Sequence, residues 1–366
     1  MKKTKISACI AVAVALTSSS AFAITNGLGS SNSELPFQVQ VTADYGEQGS
    51  VHCGGIVLTD SIVLTSAQCV DENNEGQSPN DVSVSYSANN ELHTVSINAG
   101  DYKAHSDWTG SIKGANDIAI LYDPDNSFKP VVKLKIADGT EQAAMLSQFA
   151  NSYVSGQDNE PNVLATGFKN PEDVSLSAVS KVMMTGAPEG TCSNLKVSSS
   201  ERLDTICTVS YERDTNHSIC QTDRGGALLW QNPDHAADPD YGLRVVGISS
   251  YIYGPDDSVC MNSTDGFVGF TPIIMHAQWI NLTVEDYIGE AFDYRDLDSS
   301  VELKSNPMYD PSNPIEPPVD GGEDGGEDGG SDNAGIDDAV NKSSGGSMGG
   351  FILLALSAIG FIRKRK

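Results

Sequence analysis

Three short stretches place polar side chains beside apolar runs, where they could take part in chemistry. They are "TSAQC", "NDIAILY" and "CQTDRGGAL", and their polar side chains include Gln68, Asp117 and Arg224. A carboxamide does not titrate near neutral pH, and a guanidinium stays protonated and only donates hydrogen bonds. Of these three residues, Asp117 alone carries a group suited to acid–base or orienting chemistry.

Motifs for metals and phosphates are missing from the sequence. It contains neither H-E-x-x-H nor a pair of C-x-x-C motifs, and "GGEDGG" does not form a phosphate loop. We therefore expect no metal site and no cofactor.

The element that must position these residues is a β-structure. Short β-branched runs such as "FQVQVTA", "SIVLTSA", "DVSVSYS" and "LRVVGISSYI" are separated by Gly, Asn, Asp and Pro. Helical periodicity is scarce until "TPIIMHAQWINLTVEDYI". Many short strands and one late helix predict an all-β barrel or sandwich.

The N-terminus predicts export. Three lysines precede a short apolar run at 6–16, and Ala21-Phe22-Ala23 is a small-residue cleavage site. The run is too short to span a membrane, so we interpret residues 1–23 as a secretory signal peptide.

The C-terminus carries a second targeting pattern. A glycine-rich stretch leads into apolar residues 351–362 and a final "RKRK". Residues 346–366 resemble the GlyGly-CTERM sorting signals of Gram-negative bacteria with type II secretion. The resemblance implies cleavage by a rhomboid-type protease, transient membrane association, and a secreted or surface-attached product. A plain tail anchor is the alternative.

The remaining sequence divides into a globular part, 24–290, and an acidic Gly/Pro/Asp-rich linker, 291–345. The linker has little to bury and should be a self-repelling spacer, with calcium binding by its carboxylates as the alternative. The full chain has 22 basic and 49 acidic residues and a net charge of −27, which argues against a nucleic-acid partner. Six of the seven cysteines remain after signal removal, and an even set in an oxidising compartment indicates three disulfides.

Four blocks occur in a fixed order: "ITNG…LPFQVQV", "CGGIVLTDSIVLTSAQCV", "NDIAILY" and "CQTDRGGALLW". Together with the ending "VGFTPIIMHAQWI", they resemble the trypsin/chymotrypsin-like serine protease family over roughly residues 24–287. The resemblance implies two packed six-stranded antiparallel barrels, a C-terminal helix, and an active site between the barrels. It also implies the disulfides Cys53–Cys69, Cys192–Cys207 and Cys220–Cys260.

The catalytic positions that the resemblance implies are altered. The family's general base, nucleophile and orienting carboxylate fall on Gln68, Arg224 and Asp117. A glycine whose amide helps bind the oxyanion is replaced by Thr222. Only the carboxylate is retained, so we expect protease chemistry by this route to be lost. Arg224 either reaches toward Asp117 or faces solvent.

The specificity pocket implied by the resemblance is also changed. The position that is acidic in trypsin is Ser218, and the edge strand of the cleft is Ser250-Tyr251-Ile252. Ile252 and Val268 replace two wall glycines and should narrow or fill the pocket. A loop movement that keeps it open is the alternative.

The family's N-terminal insertion has both partners. Signal cleavage after Ala23 would expose Ile24, whose ammonium would pair with Asp223. A buried ion pair is tolerable only with both partners present.

These observations predict an exported, non-catalytic protein that binds peptides or proteins. Candidate partners are peptides, protease inhibitors and an active relative. A serine endopeptidase or esterase with a displaced catalytic set is the first alternative, and a purely structural surface protein is the second.

Overall fold

A computed structural model describes residues 24–31, 33–71, 78–110, 116–168, 179–188, 191, 205–253, 266–297 and 301–309. These residues all lie in one compact unit. The predicted signal peptide, most of the acidic linker and the sorting tail lie outside them. No helix in the described ranges is long and apolar enough to cross a membrane.

The chain starts with two short strands, β1 (Ile24–Thr25) and β2 (Leu28–Gly29). A seven-stranded antiparallel sheet follows, in the order β7-β6-β3-β4-β5-β9-β8. Its strands are β3 (Gln38–Asp44), β4 (Ser50–Val57), β5 (Ile62–Thr65), β6 (Asp81–Ala88), β7 (Glu91–Ile97), β8 (Tyr102–Ala104) and β9 (Ala119–Tyr122). No pairing between the described parts of β7 and β8 closes this sheet, so it is a half-barrel.

The second half of the chain forms a closed six-stranded barrel, because β10 pairs with both β14 and β11. The order is β10-β14-β15-β16-β12-β11, and β2 is added beside β11. The strands are β10 (Val163–Phe168), β11 (Val179–Ala187), β12 (Ile206–Val209), β14 (Ala227–Gln231), β15 (Leu243–Tyr253) and β16 (Phe267–Pro272). Another short strand, β13 (Ser218–Ile219), pairs with β1.

Alternation of side chains explains why the predicted strands form. In β3, Val39, Val41 and Ala43 are completely buried in the core of the first half. Successive side chains of a strand point to opposite faces, so every second residue supplies this core. The all-β class and the C-terminal helix are confirmed, whereas the first half is more open than the expected closed barrel.

Two helices are described, α1 (Gly139–Ser152) and α2 (Ala277–Ile288). The late helix was expected, but α1 was missed. Its signal was present, because Asp138 and Glu141 form a capping box at its start. The cap is extended by a buried ion pair between Glu141 and Arg244 at 2.6 Å, which joins α1 to β15.

The segment after α2 remains attached to the domain. Tyr294, Leu303 and Met308 are buried in the core cluster shared by the two halves. The linker boundary drawn from the sequence was 290/291, whereas the described residues keep packing on the domain as far as 309.

His276 lies just before α2 and is 5 % exposed. Its ring contacts His105, with centroids 5.1 Å apart, and His105 also contacts Trp279. In the described residues, Nε2 of His276 has no hydrogen-bond partner. Burial, assisted by the nearby His105, lowers the pKa of His276 to about 4.

This burial predicts acid sensitivity. His276 takes up a proton near its ordinary pKa of 6.5 when unfolded but only near 4 when folded, so its stabilising effect is lost as pH falls through that window. We expect wild type to lose up to about 3 kcal/mol more than His276→Leu between pH 7 and pH 4. Urea unfolding at a series of pH values measures this difference, and parallel curves for the two proteins would contradict it.

Candidate active site

Gln68 is positioned by a 3₁₀ turn, Ala67–Cys69, that directly follows β5. A disulfide joins Cys69 to Cys53 on β4, as the resemblance implied. Cys207 and Cys220 are also in disulfides, but their expected partners, Cys192 and Cys260, lie outside the described residues. The turn is buried, and Gln68 itself is 5 % exposed.

Asp117 is the centre of the site and is completely buried. Oδ1 accepts hydrogen bonds from Ser66 Oγ at 2.6 Å and from the Gln68 backbone N–H at 3.0 Å. Oδ2 accepts from Gln68 Nε2 at 2.7 Å and from Ser250 Oγ at 2.6 Å. Gln68 Nε2 lies 3.3 Å from the Ser250 carbonyl oxygen as well. The Gln68 carboxamide therefore donates to the Asp117 carboxylate.

Uncharged hydrogen-bond donors surround the Asp117 carboxylate. In the described residues every hydrogen-bond donor to the Asp117 carboxylate is neutral, and Arg224 is not among them. Burial raises the pKa of Asp117, while the hydrogen bonds from Ser250, Ser66 and Gln68 act in the opposite direction. Of the two alternatives for Arg224, capping of Asp117 is not seen in the described residues, where Gln68 and the two serines supply the donors.

Arg224 follows a second 3₁₀ turn, Gln221–Asp223, and its side chain is partly buried. Its backbone is fixed by both halves of the fold, since Gly54 N donates to Arg224 O at 2.6 Å and Gly225 N donates to Ser249 O at 2.8 Å. Gly225 has a φ of +80°, and a Cβ there would lie 2.2 Å from Gly54 O. The loop thus needs glycine beside Arg224 but places no such demand on residue 224.

Thr222 lies within this second turn and is partly buried. Its hydroxyl oxygen is buried and has no hydrogen-bond partner among the described residues. The oxyanion role that the resemblance attaches to this position stays a prediction.

The predicted pocket residues meet in the core of the second barrel. Ile252 on β15 is the cross-strand partner of Val268 on β16, and Val268 is completely buried. Both belong to an apolar cluster that includes Ile219. Ser218 is also completely buried, and its hydroxyl donates to the Ile219 carbonyl at 2.8 Å. This arrangement favours a filled pocket.

The edge strand of the cleft carries the other two predicted residues. Ser250 is 1 % exposed and is committed to Asp117, and Tyr251 is buried. A Cβ at Gly269 would lie 2.3 Å from the Tyr251 ring, so glycine is required there to seat the ring. Sequence reasoning placed Ser250 on the edge strand of the cleft but missed Ser66, whose position two residues before Gln68 was the available signal.

Asp223 is completely buried in the same region. Its carboxylate accepts hydrogen bonds from the backbone N–H groups of Cys220 at 2.8 Å and Phe168 at 3.0 Å. Burial outweighs these two hydrogen bonds and raises the pKa of Asp223 to about 7. Ile24 is partly buried, and β1 pairs it with Ile219. The ion pair with its ammonium stays a prediction, because it requires cleavage before Ile24.

No group of three or more His, Cys, Asp or Glu residues that could hold a metal ion occurs in the described ranges. The hydrogen bonds of the site bring together a buried carboxylate, a carboxamide and two serine hydroxyls.

The hydrogen bond from Gln68 should contribute to stability. Gln68→Leu removes the Nε2 donor and leaves a buried carboxylate oxygen with one donor fewer, which should cost about 1–3 kcal/mol of unfolding free energy. Gln68→His is the matched control, because a ring N–H can donate from the same place and should reduce the loss. Equal destabilisation by the two substitutions in urea unfolding would show that the hydrogen bond is not responsible.

The burial of Asp223 predicts that stability falls with rising pH when the N-terminus is blocked but not when it is free. While Ile24 stays joined to preceding residues, the folded pKa of Asp223, about 7, exceeds its ordinary 3.8. The associated stability is present below pH 3.8 and is lost as pH rises to 7, by up to about 4 kcal/mol. An Ile24 ammonium should abolish this loss. Denaturant unfolding of both forms from pH 4 to 8 measures it, and indistinguishable profiles would exclude the ion pair.

Comparison with known proteins is consistent with this geometry. The family model described as Trypsin matches residues 24–280. A solved structure titled HL collagenase shares 17 % identity, with a TM-score of 0.52, over 74 % of this chain and 100 % of that chain, a likeness that shows the fold alone. A comparison with curated proteins found no match. Since the family model spans well over half of the sequence, the chain belongs to the trypsin family of serine proteases.

Proposed function

We propose that this protein is an exported, non-catalytic member of the trypsin family that binds an extended polypeptide in its cleft. The observation that carries the proposal is the Asp117 site, where the carboxylate is held by a Gln68 carboxamide and the nucleophile position is Arg224. Export rests on the N-terminal signal pattern, and transient membrane association rests on the tail.

The chemical argument concerns proton transfer. Acyl transfer by this fold needs a hydroxyl nucleophile and an imidazole that takes its proton and returns it. The Gln68 carboxamide cannot accept that proton near neutral pH, and the Arg224 guanidinium cannot lose one. Loss of the base or the nucleophile alone costs on the order of 10⁶-fold in subtilisin, which has the same triad on an unrelated fold. Both losses together leave no route for the family's reaction.

Polypeptide binding is supported by the shape of β15. Strand β14 pairs with β15 only as far as Ile248, whereas β16 continues beside β15 to Tyr253. Residues 250–253 therefore extend past β14 along the cleft. An extended peptide can add to such an edge through main-chain hydrogen bonds. Since Ile252 and Val268 fill the pocket, binding would depend on the backbone more than on one large side chain.

Hydrolysis and covalent labelling test the loss of catalysis. We expect the purified, disulfide-intact chain neither to cleave casein or peptide substrates nor to react with a fluorophosphonate. A labelled residue would contradict the proposal and identify the nucleophile of a displaced catalytic set. Thr42 and His52 are one candidate pair for such a set, because the Thr42 hydroxyl oxygen lies 3.2 Å from His52 Nδ1. Gln68→His combined with Arg224→Ser is the matched control. Hydrolysis by this variant would show that only the triad side chains were lost and that the rest of the scaffold can still support catalysis.

Binding is tested separately by calorimetry with extended peptides and with loop-type protein inhibitors of serine proteases. Measurable binding of an extended peptide or an inhibitor by the unsubstituted chain would support the proposal. If neither peptides nor inhibitors bind, and the chain stays attached to cells, the protein is better described as a structural surface protein.

A further inference from the structure

A cavity of about 660 Å³ lies between the chain that connects the two halves and the chain that follows α2. Its lining comes from the turn between β4 and β5, from residues 133–138, from the end of α2 and from residues 290–297. Cavities of about 300–1,000 Å³ are usual for sites that bind small molecules. Gln68, Asp117 and Arg224 are not among its lining residues, so the cavity is separate from the candidate active site.

Residues after α2 complete the cavity. Five of them line it: Glu290, Phe292, Tyr294, Arg295 and Leu297. This segment is fastened to α2, because Phe292 N donates to Glu285 Oε1 at 3.1 Å and Tyr294 N donates to Asn281 Oδ1 at 3.2 Å. The family match ends at residue 280, so this part of the lining lies beyond the matched region.

Much of the lining is apolar. Five aliphatic side chains line the cavity and belong to the core cluster shared by the two halves or pack against it: Leu58, Leu134, Ile136, Val284 and Ile288. Phe292 adds an aromatic ring to the same lining. Apolar surface that enters such a lining is removed from water, which favours the binding of an apolar body.

Three charged side chains of the lining are already committed to the fold. Lys133 Nζ donates to Asp60 Oδ1 at 2.6 Å and to the carbonyl oxygens of Phe128 and Lys129, both at 3.1 Å. An ammonium has three donors, so those of Lys133 are all used, and the same contact engages Asp60. Asp138 Oδ1 accepts from two backbone N–H groups at the start of α1, each at 2.8 Å.

Lys135 is the lining cation that keeps donors available. In the described residues its Nζ approaches one acid, Glu141 Oε1, at 4.0 Å, which is too long for a hydrogen bond. That oxygen already accepts from Arg244 Nε at 2.6 Å. The side chain of Lys135 is 41 % exposed, and its backbone is fixed because Val245 N donates to the Lys135 carbonyl at 2.9 Å. The cavity therefore presents an ammonium that can bind an anionic group.

The remaining polar residues of the lining do not oppose an anion strongly. Glu290 and Arg295 are exposed, and Arg295 is bound to Asp293 through Nε and Nη2. Charges in water interact weakly, so the less exposed Lys135 should decide which charge the cavity prefers. The Tyr294 hydroxyl is buried and has no hydrogen-bond partner among the described residues. Burial raises the pKa of Tyr294 to about 12, so this phenol adds no negative charge.

We propose that this cavity binds a small amphipathic monocarboxylate, whose apolar body packs against Leu58, Ile136 and Phe292 and whose carboxylate accepts hydrogen bonds from Lys135. The site is separate from the cleft, so the proposal does not depend on whether the cleft binds a polypeptide. It gives the protein a small-molecule site at the base of the acidic linker.

Calorimetry with three matched probes tests this on the purified, disulfide-intact chain. The probes are 4-phenylbutyrate, 4-phenyl-1-butanol and 4-phenylbutylamine, which share one apolar body and carry a negative, a neutral and a positive head group. We expect the acid to bind about tenfold more tightly than the alcohol, and the amine to bind most weakly. Equal binding of acid and alcohol, tighter binding of the amine, or no binding of the acid would overturn the proposal.

Substitutions locate the two ends of the probe. Lys135→Met should weaken binding of the acid about tenfold and leave binding of the alcohol unchanged. Lys129→Met is the matched control, because it removes an exposed ammonium that does not line the cavity and should change neither. Phe292→Ala should weaken acid and alcohol alike, and Leu297→Ala replaces it if that variant does not fold.

The assignment of the head group is overturned if Lys135→Met and Lys129→Met bind the acid equally well. The assignment of the cavity is overturned if neither Phe292→Ala nor Leu297→Ala weakens the binding of acid and alcohol.

Discussion

The buried carboxylate of Asp117 constrains the centre of this molecule. It is completely inaccessible to solvent, and its two oxygens accept four hydrogen bonds. Ser66 and Gln68 come from the first half of the fold, whereas Ser250 comes from β15 in the second. A buried ionised group is tolerated only where it is well satisfied by donors. The carboxylate therefore requires the two halves to meet in one arrangement.

Close backbone approach maintains the same arrangement next to the carboxylate. A Cβ at Gly54 would lie only 2.7 Å from Gly226, so the two halves touch through glycine. Thr166 Oγ1 also donates to Gln38 Oε1 at 2.6 Å across the boundary. These contacts use backbone and structural side chains and do not involve the side chains of Gln68 and Arg224. They therefore hold the two halves together independently of the groups at those two residues, and fold and activity must be argued separately.

Buried charged groups away from Asp117 also join parts of the fold. Lys181 donates a hydrogen bond to the Pro307 carbonyl, and Arg244 forms ion pairs with Glu141 and Asp240. Asp223 accepts hydrogen bonds from two backbone N–H groups. In the first two cases a charge joins elements far apart in the sequence. Asp223 differs, because its donors are neutral and its pKa is raised to about 7.

Local patterns predicted much of the fold but not all of it. The β-branched run "FQVQVTA" indicated a strand, and the structure has it as β3. Helix α1 was missed because few apolar residues mark its buried face, although its capping box was legible. Packing of residues 290–297 and 301–309 on the domain could not be predicted from local patterns, since Tyr294, Leu303 and Met308 are isolated apolar residues in a polar segment. Burial of such residues depends on the surface that they meet.

The sequence by itself determined which functional groups are available: a carboxylate at Asp117, a carboxamide at Gln68 and a guanidinium at Arg224. Titration behaviour is a property of each group, so the proton chemistry that each of these three side chains allows needed no coordinates. Only the tertiary structure decided that Gln68 and Ser66 donate to Asp117. It also decided that Ile252 pairs with Val268 across the strands and that Lys181 donates to the Pro307 carbonyl. Those contacts join residues distant in sequence, and they exist only because packing of the two halves brings the groups within hydrogen-bond or van der Waals distance.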